Sequence, residues 1–493
     1  MQQTSTRGPG RAVRAILAAT TLTLGVAQGT RADSLEEIER RGQQLLQQLQ
    51  HELDAARRER EALEADRKQF EAERRQFEAE RKTAPAAATA GAAPATPSET
   101  DRKVDILASE IQQLKTNVAV PPTVDYKSKY GYGPAASKVY SVSRGLSIGG
   151  YGEGIYTNTV GDTRGTSDTA DALRFVLYTG YKFTDWLVLN SEIEFEHATT
   201  SATVSAGSGS VSVEFLTLDF LARDYANLRM GLVLVPMGFI NEMHEPVFFH
   251  GANRPEVERV IIPTTWRELG AGIFGEAGEF TYRAYTLTSL NADGFSSSGI
   301  RGGRQSGNRA LVDSYAGTGR LDYEPEWAEG LLVGGSFFVG GTTQDQAEFG
   351  NADGLLTLWD AHLQYRWRGI ELRALGAWGY LDDAKSISNA NETTVANQFD
   401  GYYLEAAYDV MPLILPQFET QYLAPFFRYE HFDTQEHVPS GLVRDRTKDT
   451  ELYTMGLTYK PHPQIVLKLD YRNFQQAQGE RADDVNFGAG FVF

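Results

Sequence analysis

Apolar and polar residues alternate with a period of two from about Leu146 to the last residue of this 493-residue chain. In residues 187–197, LVLNSEIEFEH, leucine, isoleucine and phenylalanine take one face, while asparagine and the glutamates take the other. This period is typical of a β-strand with one apolar and one polar face. The same pattern predicts strands at residues 173–183, 355–367, 370–380, 464–474 and 485–493. The predicted class is therefore all-β.

Short turns alternate along this region with long polar loops. Residues 184–186 and 368–369 each join two predicted strands, whereas residues 158–171 and 342–354 are rich in Gly, Ser, Thr, Asn and Asp. Short turns at one end and long loops at the other are typical of an outer-membrane barrel. Counting the strands predicts a transmembrane antiparallel β-barrel of about 16 strands over residues 146–493, with both ends of the barrel chain at the short-turn end. A lumen of this width is too wide for wall side chains to fill, so we expect it to hold water.

The cost of burying charge decides which face of the strands points outward. Glu192, Glu194 and Glu196 share a face, and lipid exposure of such charges costs up to about a few kcal/mol each. We therefore expect the apolar face outside and the charged face inside. A soluble β-sandwich or propeller is the alternative, but it does not explain the tyrosines and tryptophans at the strand ends.

The chain ends on Phe493, within the last predicted strand. A barrel lacks an open edge only if its last strand pairs with its first, so an ending of this kind is what closure requires. Phe487, Phe491 and Phe493 also resemble the C-terminal assembly signal of bacterial outer-membrane proteins. That resemblance implies recognition by the barrel assembly machinery.

The segment before the barrel divides into five parts by composition. Residues 1–32 have the arginines, short apolar stretch and small residues of a signal peptide, cleaved after either Gly29 or Ala32. The parts that follow are a charged helix and weak coiled coil at 33–82, an Ala/Pro-rich linker at 83–100, a short coiled coil at 101–120 and a connector at 121–145. We expect the coiled-coil front to lie in the periplasm of a Gram-negative type of cell, with the barrel in the outer membrane.

Composition excludes several kinds of site. The chain has no cysteine, which rules out disulfides, thiolate metal ligands and cysteine nucleophiles. A formal net charge of -18 argues against nucleic acid as a partner. We expect no cofactor and no metal. The expected partners are outer-membrane lipid, lipopolysaccharide and small solutes in transit.

Residues 241–266, between the fifth and sixth predicted strands, form the longest stretch without strand periodicity. The apolar residues in this segment need a wall to pack against, which favours folding into the barrel. We therefore predict a constriction loop; an external loop that seals subunit contacts is the alternative. The candidate constriction residues are Glu242, Glu245, Arg254, Glu256, Glu258 and Arg259.

Several stretches resemble the phosphate-selective porin O and P family of bacteria, among them GLSIGGYGEGIY, GLVLVPMGFINEMHEP and RPEVERVIIPTTWRELGAGIFGE. The resemblance covers roughly residues 140–493, and the helical front is similar to the coiled coils of some trimeric porins. It implies a homotrimer that conducts small anions such as phosphate. Inward arginines and lysines would select anions, but inward glutamates accompany them. Rows that mix both signs of charge favour a transverse electric field across a general pore. The candidate pore-lining residues are Arg174, Lys182, Glu192, Glu194, Glu196, Arg366, Arg373, Arg428, Lys468, Asp470 and Arg472, with Arg301, Arg304 and Arg309 as additional cations.

The predicted function is thus a porin for passive diffusion of small hydrophilic solutes. One alternative is a structural anchor tethered to the cell wall through the coiled coil. A barrel enzyme is the other; the histidines are not framed by GxSxG, HExxH or any paired spacing, so we predict no catalytic residues.

Overall fold

The computed structural model describes residues 128–161, 167–198, 209–418 and 420–493. The signal peptide, both coiled-coil segments and the linker predicted from the sequence lie outside these residues. Within them, the helices are all too short or too polar to cross a bilayer.

Sixteen antiparallel strands form one closed barrel in the described residues. Consecutive strands pair with each other, and the first pairs with the last, with Tyr151 opposite Val492. The predicted sixteen-stranded antiparallel barrel is therefore confirmed. The strands are β1 Gly145–Thr159, β2 Thr169–Thr184, β3 Leu187–Glu196, β4 Val211–Arg223, β5 Ala226–Leu234, β6 Arg267–Ala277, β7 Phe280–Thr288, β8 Tyr315–Tyr323, β9 Leu331–Gly340, β10 Leu356–Trp367, β11 Ile370–Leu381, β12 Gln398–Tyr408, β13 Tyr422–His437, β14 Asp449–His462, β15 Ile465–Gln476 and β16 Asp484–Val492.

Short helices interrupt the connections. The α-helices are α1 Pro134–Ser141, α2 Glu256–Val260, α3 Ala384–Ala390 and α4 Met411–Ile414, and the 3-10 helices are Pro246–Phe248, Ala292–Gly294, Arg301–Gly303, Ala347–Phe349 and Arg446–Lys448. The sequence predicts only a connector at 121–145, and the structure adds α1 to it. Proline in the first turn favours this helix start because its missing N–H has no partner to lose there.

The two ends of the barrel differ as predicted. At one end, turns such as 185–186 and 368–369 are short, and β1 begins and β16 ends there. The connection between β12 and β13 is the longest at this end and contains α4. The other end carries the long loops, so we call the two ends the short-turn end and the long-loop end.

Phe493 completes the seam between β1 and β16. Its backbone N–H donates to the carbonyl of Gly150 at 2.8 Å, and the N–H of Gly150 donates back at 3.0 Å. A Cβ atom on Gly150 would lie 2.8 Å from the ring of Phe493, so glycine leaves the space that the ring fills. The C-terminal residue therefore takes part in closing the barrel.

The two faces of the wall have opposite chemistry. Outward side chains are large and apolar, for example Leu404 with 57% of its surface exposed, together with Leu469 and Phe487. Inward side chains are often charged and buried, such as Arg428 and Asp470. This is the assignment of faces that the charge argument predicts.

The lumen contains more chain than the sequence predicts. Residues 235–266, which we call the inner loop, and residues 128–144, which we call the plug segment, both enter it. Apolar side chains of the inner loop, including Met237 and Ile261, pack with inward residues of the wall such as Phe338. The expectation of a simple wide aqueous bore therefore needs correction, because two stretches of main chain occupy much of the lumen.

Candidate functional site

The inner loop crosses the lumen. The N–H of Gly238 donates to Asp360 on β10 at 3.2 Å, and the N–H of Ala252 donates to Asp470 on β15 at 2.6 Å. These strands lie on different parts of the barrel wall. The loop thus follows the inward course that the sequence predicts for residues 241–266.

Two of the candidate constriction glutamates fasten the loop to the wall. Glu258 is completely buried and accepts hydrogen bonds from the N–H of Ile240 and the hydroxyl of Tyr403, both at 2.7 Å. Glu242 forms an ion pair with Arg283 at 2.9 Å. Buried carboxylates with such partners hold the loop in place.

Glu245 and Glu256 are also buried. Glu245 accepts a hydrogen bond from the N–H of Ala135 at 3.1 Å, and burial raises the pKa of its carboxyl to about 8. Glu256 lies 2.6 Å from Arg259 and 3.2 Å from Arg472. Arg259 is the exposed member of the group and points toward the long-loop end.

Arg254 remains half-buried next to His244 and donates to its carbonyl at 3.4 Å. Burial and the charge of Arg254 lower the pKa of His244 to about 3, so its ring is neutral at neutral pH. The contact of His244 with Glu192 at 3.0 Å is therefore a hydrogen bond rather than an ion pair.

The candidate pore-lining residues of the wall lie on its inward faces, and most are paired there. Arg174 lies 2.8 Å from Glu153 and 3.4 Å from Glu194. Lys468 places its ammonium 3.4 Å from the ring centre of Phe249 in the inner loop. The remaining members on inward faces are Lys182, Glu192, Glu196, Arg366, Arg373, Arg428, Asp470 and Arg472.

Arg428 joins the wall to the inner loop. Its guanidinium lies 2.9 Å from both Glu405 on β12 and Glu430 on β13. It also donates to the carbonyls of His250 at 3.2 Å and Asn253 at 3.4 Å. Only 1% of the surface of Arg428 is exposed, so these four contacts are made out of contact with water.

A cavity of about 540 Å³ opens among the long loops, and we call it the outer basin. Four separate connections contribute its cations, Arg259, Arg301, Arg304, Lys448 and Arg481. In the described part of the chain, none of its lining residues is a carboxylate. The sequence singles out the first three of these cations but not Lys448 or Arg481, and it adds Arg309, which is exposed and lies outside the lining.

Two arginines of the outer basin, Arg301 and Arg304, are held by main-chain carbonyls. Arg301 donates to the carbonyls of Arg259 and Thr264, and Arg304 donates to those of Arg301 and Pro263. Burial and the charges of Arg304 and Arg259 lower the pKa of Arg301 to about 9, which still leaves it protonated at neutral pH. Burial is the largest cause of this lowered pKa and the neighbouring positive charges add to it, so an anion bound in the basin would favour the protonated form.

A second cavity of about 280 Å³ lies toward the short-turn end, and we call it the inner basin. Its charged lining includes Glu242, Arg283, Arg320 and Asp322, with Asp322 held at 2.8 Å by Arg320 and at 2.9 Å by Arg283. The inner loop lines both basins, with Glu242 at the inner basin and Arg259 at the outer basin.

The histidines of the lumen take part in hydrogen bonds. The ring of His362 bridges Asp360 at 2.6 Å and Asp322 at 2.8 Å. Among the residues that the structure describes, no group of three or more His, Cys, Asp and Glu side chains is arranged to hold a metal ion.

Comparison with known proteins gives a sequence relative and distant structural ones. An uncharacterized protein of Aquifex aeolicus (strain VF5) is 39% identical over 373 residues, which cover 73% of this chain and 82% of that protein. The loop L8 deletion mutant of OmpT from Vibrio cholerae shares 12% identity and a TM-score of 0.47, over 71% of this chain and 100% of that chain. The outer membrane channel DcaP of Acinetobacter baumannii shares 12% identity and a TM-score of 0.46, over 71% and 97% of the two chains.

OmpF of Salmonella typhi, in a complex with daunomycin, shares 14% identity and a TM-score of 0.46, over 71% of this chain and 98% of that chain. Structural likeness at this level carries no argument about function. No protein-family model matches the chain, so its resemblance to the phosphate-selective porins stays a prediction.

Proposed function

The chain belongs to the same protein family as the uncharacterized protein of Aquifex aeolicus, and we propose that it is an outer-membrane porin through which small hydrophilic solutes, anions such as phosphate among them, diffuse. The supporting architecture is a closed barrel with an apolar outer face and a charged interior. Monomeric soluble proteins rarely expose apolar surface of this extent. An outward apolar band is what a barrel presents to lipid, so outer-membrane lipid and lipopolysaccharide are the proposed neighbours of the wall.

The proposal that the solutes are anions rests on a single observation, the outer basin. Its cations converge on one cavity without a carboxylate among the described lining residues, and Arg301 and Arg304 donate to main-chain carbonyls there. Fixed positive charge at a pore mouth raises the local concentration of anions and lowers that of cations. Such a mouth favours anions before they reach the mixed charges deeper in the lumen.

The inner loop is the proposed constriction. It lines both the outer and the inner basin, and its glutamates bind partners in the wall, in the plug segment or in the loop itself. Arg254 and Arg259 are the members of the predicted constriction set that keep contact with water. A solute in the outer basin would already meet Arg259, which belongs to both sets.

Planar-bilayer recording of the full-length protein tests the proposal. We expect stepwise conductance and, in a KCl gradient, a reversal potential of the sign that marks chloride as the more permeant ion. A larger phosphate anion should reduce the chloride current by competing for the outer basin. A silent protein, or one selective for potassium, would contradict the proposal.

The double variant Arg301→Gln/Arg304→Gln tests the outer basin directly. A unit charge about 6 Å from an ion in water changes the ion's energy by about 0.7 kcal/mol, which is about threefold in occupancy. We therefore expect the anion-to-cation permeability ratio to fall about threefold or more at low salt, where screening is weak. Arg309→Gln is the matched control, because this exposed arginine lies outside the basin lining; an equal change in both proteins would disprove the role of the basin.

The oligomeric state is a separate proposal. The heptad patterns at 33–82 and 101–120 favour a dimeric or trimeric periplasmic stalk, and the family resemblance favours the homotrimer. Light scattering of the detergent-solubilised full-length chain, compared with a chain that lacks residues 33–120, would test it. A monomeric full-length protein would exclude the trimer.

A further inference from the structure

The plug segment packs inside the barrel near the short-turn end. Side chains of this segment, Tyr132, Ala135 and Val139, are buried against inward residues of the wall such as Val188 and Phe215. The α1 helix contacts β1, β2 and β3. This part of the lumen is therefore filled by a stretch of chain that precedes the barrel.

The wall has a recess for this helix. A Cβ atom on Gly180 would lie 2.6 Å from a methyl group of Val139, and one on Gly149 would lie 2.7 Å from the carbonyl oxygen of Ala135. Both distances are too short for a real side chain. Glycine at these two inward positions is thus what lets the helix lie against the wall.

Polar contacts hold the helix in the recess. Asn190 donates to the carbonyl of Ala136 at 3.0 Å, and the hydroxyl of Tyr140 donates to Asp219 at 2.6 Å. Asp219 is itself paired with Arg229 at 2.8 Å, so it keeps a partner when Tyr140 departs. Asp219 therefore keeps its charge partner without this part of the plug segment. Displacement would break the hydrogen bonds that Arg229 donates to the carbonyl of Tyr130 at 3.1 Å and the hydroxyl of Tyr140 at 3.3 Å.

The plug segment also touches the inner loop. The N–H of Ala135 donates to Glu245 at 3.1 Å. A Cβ atom on Gly133 would lie 2.6 Å from the same carboxylate, and one on Gly131 would fall even closer to Glu242. The segment therefore closes against the element that we propose as the constriction.

From these contacts we propose that the plug segment is a displaceable gate, which occludes the short-turn side of the lumen and leaves its glycine-lined recess when the channel opens. The proposal rests on the porin function above and adds its regulation. Ladder hydrogen bonds join the strands of the wall, whereas the described contacts of the plug segment are side-chain packing and isolated hydrogen bonds. Removing it therefore leaves the barrel pairing intact.

The charge of the segment indicates what would move it. Residues 128–144 contain Lys129, Lys138 and Arg144 and no carboxylate, within a chain whose formal net charge is -18. A charged element in a membrane-spanning pore feels an applied potential. We expect a potential that is negative on the short-turn side to draw the segment out and to open the channel more often than the opposite polarity.

Gly180→Phe tests the gate, because a ring at this position occupies the space of Val139. We expect a higher open probability and a larger current than in the wild-type protein. Gly317→Phe is the matched control, since this glycine is exposed on the outer face and has no atom within 4 Å of an added Cβ. Heat-dependent migration on denaturing gels checks that each barrel is folded.

Two further measurements keep the test decisive if Gly180→Phe fails to fold. Tyr140→Phe combined with Asn190→Ala removes hydrogen bonds of the helix without adding bulk, and it should also raise the open probability. The absence of native cysteine allows Val139→Cys to act as a single reporter. A water-soluble thiol reagent should modify it slowly at rest and rapidly under the opening polarity.

The outcomes separate the two proposals. Silence in every folded variant would overturn the channel and the gate together. Wild-type conductance that is unchanged in Gly180→Phe and in the double variant, with Val139→Cys modified equally at both polarities, would overturn the gate and leave the porin function standing.

Discussion

Replacing Arg428 with alanine is expected to lower the free energy of unfolding of the barrel by about 3–5 kcal/mol, because the substitution leaves buried carboxylates without their cation. The guanidinium lies 2.9 Å from Glu405 and from Glu430, and it also binds two carbonyls of the inner loop. Loss of the guanidinium leaves Glu405 on β12 and Glu430 on β13 without their cation, and it removes two hydrogen bonds that hold the inner loop to the wall. Urea titration of the barrel in lipid vesicles, followed by tryptophan fluorescence, measures the change.

Arg366→Ala is the matched control for this prediction. Arg366 also pairs with a glutamate, Glu371 at 3.3 Å, but 44% of its side chain is exposed. Ion pairs in contact with water contribute about 0–1 kcal/mol, so this variant should unfold close to the wild-type midpoint. If both variants shift the midpoint equally, Arg428 is not the junction that the geometry indicates. Conductance noise should rise in Arg428→Ala alone, since the inner loop loses its clamp.

Deleting Phe493 is expected to reduce the yield of folded barrel severely. The deletion removes the reciprocal hydrogen bonds with Gly150 and the ring that covers this glycine. Two hydrogen bonds at about 0.5–1.5 kcal/mol each and the burial of a phenylalanine at about 1.5–3 kcal/mol give a loss of up to about 6 kcal/mol at the seam, and of about 2.5 kcal/mol at the least. The folded fraction after refolding in detergent and the amount in outer-membrane preparations are the two measurements.

These two measurements distinguish seam closure from recognition by the assembly machinery. Phe493→Ala retains both backbone hydrogen bonds, so it should refold better in detergent than the deletion. If Phe493→Ala refolds well but is scarce in the membrane, the side chain acts as part of an assembly signal, as its resemblance implies. Normal amounts of the deleted chain in both measurements would contradict both roles. The rings of Phe487 and Phe491 lie on the exposed outer face of β16, where such a factor could reach them.

The number and pairing order of the strands could be predicted from the sequence because the pleat imposes a strict period of two on each strand. Residues 187–197 show why: a single register puts the glutamates inside, and a slip by one residue would put them in lipid. The turn lengths then fixed which ends of the strands lie together. The inward course of residues 241–266 was predictable for a related reason, because their apolar side chains need a surface to cover them.

Periodicity assigned Glu192, Glu194 and Arg428 to the inward face, but it did not reveal their partners. Across a barrel, an inward side chain meets residues that are hundreds of positions away, and the path of the inner loop decides which ones. Ala252 and Asp470 illustrate this, since their contact joins the loop to a strand 218 residues later. Because of such buried contacts, most of the charged residues that were predicted to line the pore are paired with other residues of the wall and the inner loop.

The sequence by itself determined the barrel, its polarity and its closing strand, because these depend on local alternation and on the cost of exposing charge to lipid. Only the tertiary structure decided where the lumen stays open. The outer basin collects Arg301, Lys448 and Arg481 from different loops, and the plug segment fits a recess made by Gly149 and Gly180. Neither the meeting of distant loops nor the missing side chain of a glycine produces a periodic pattern in the sequence. Both can therefore be recognised only in the tertiary structure.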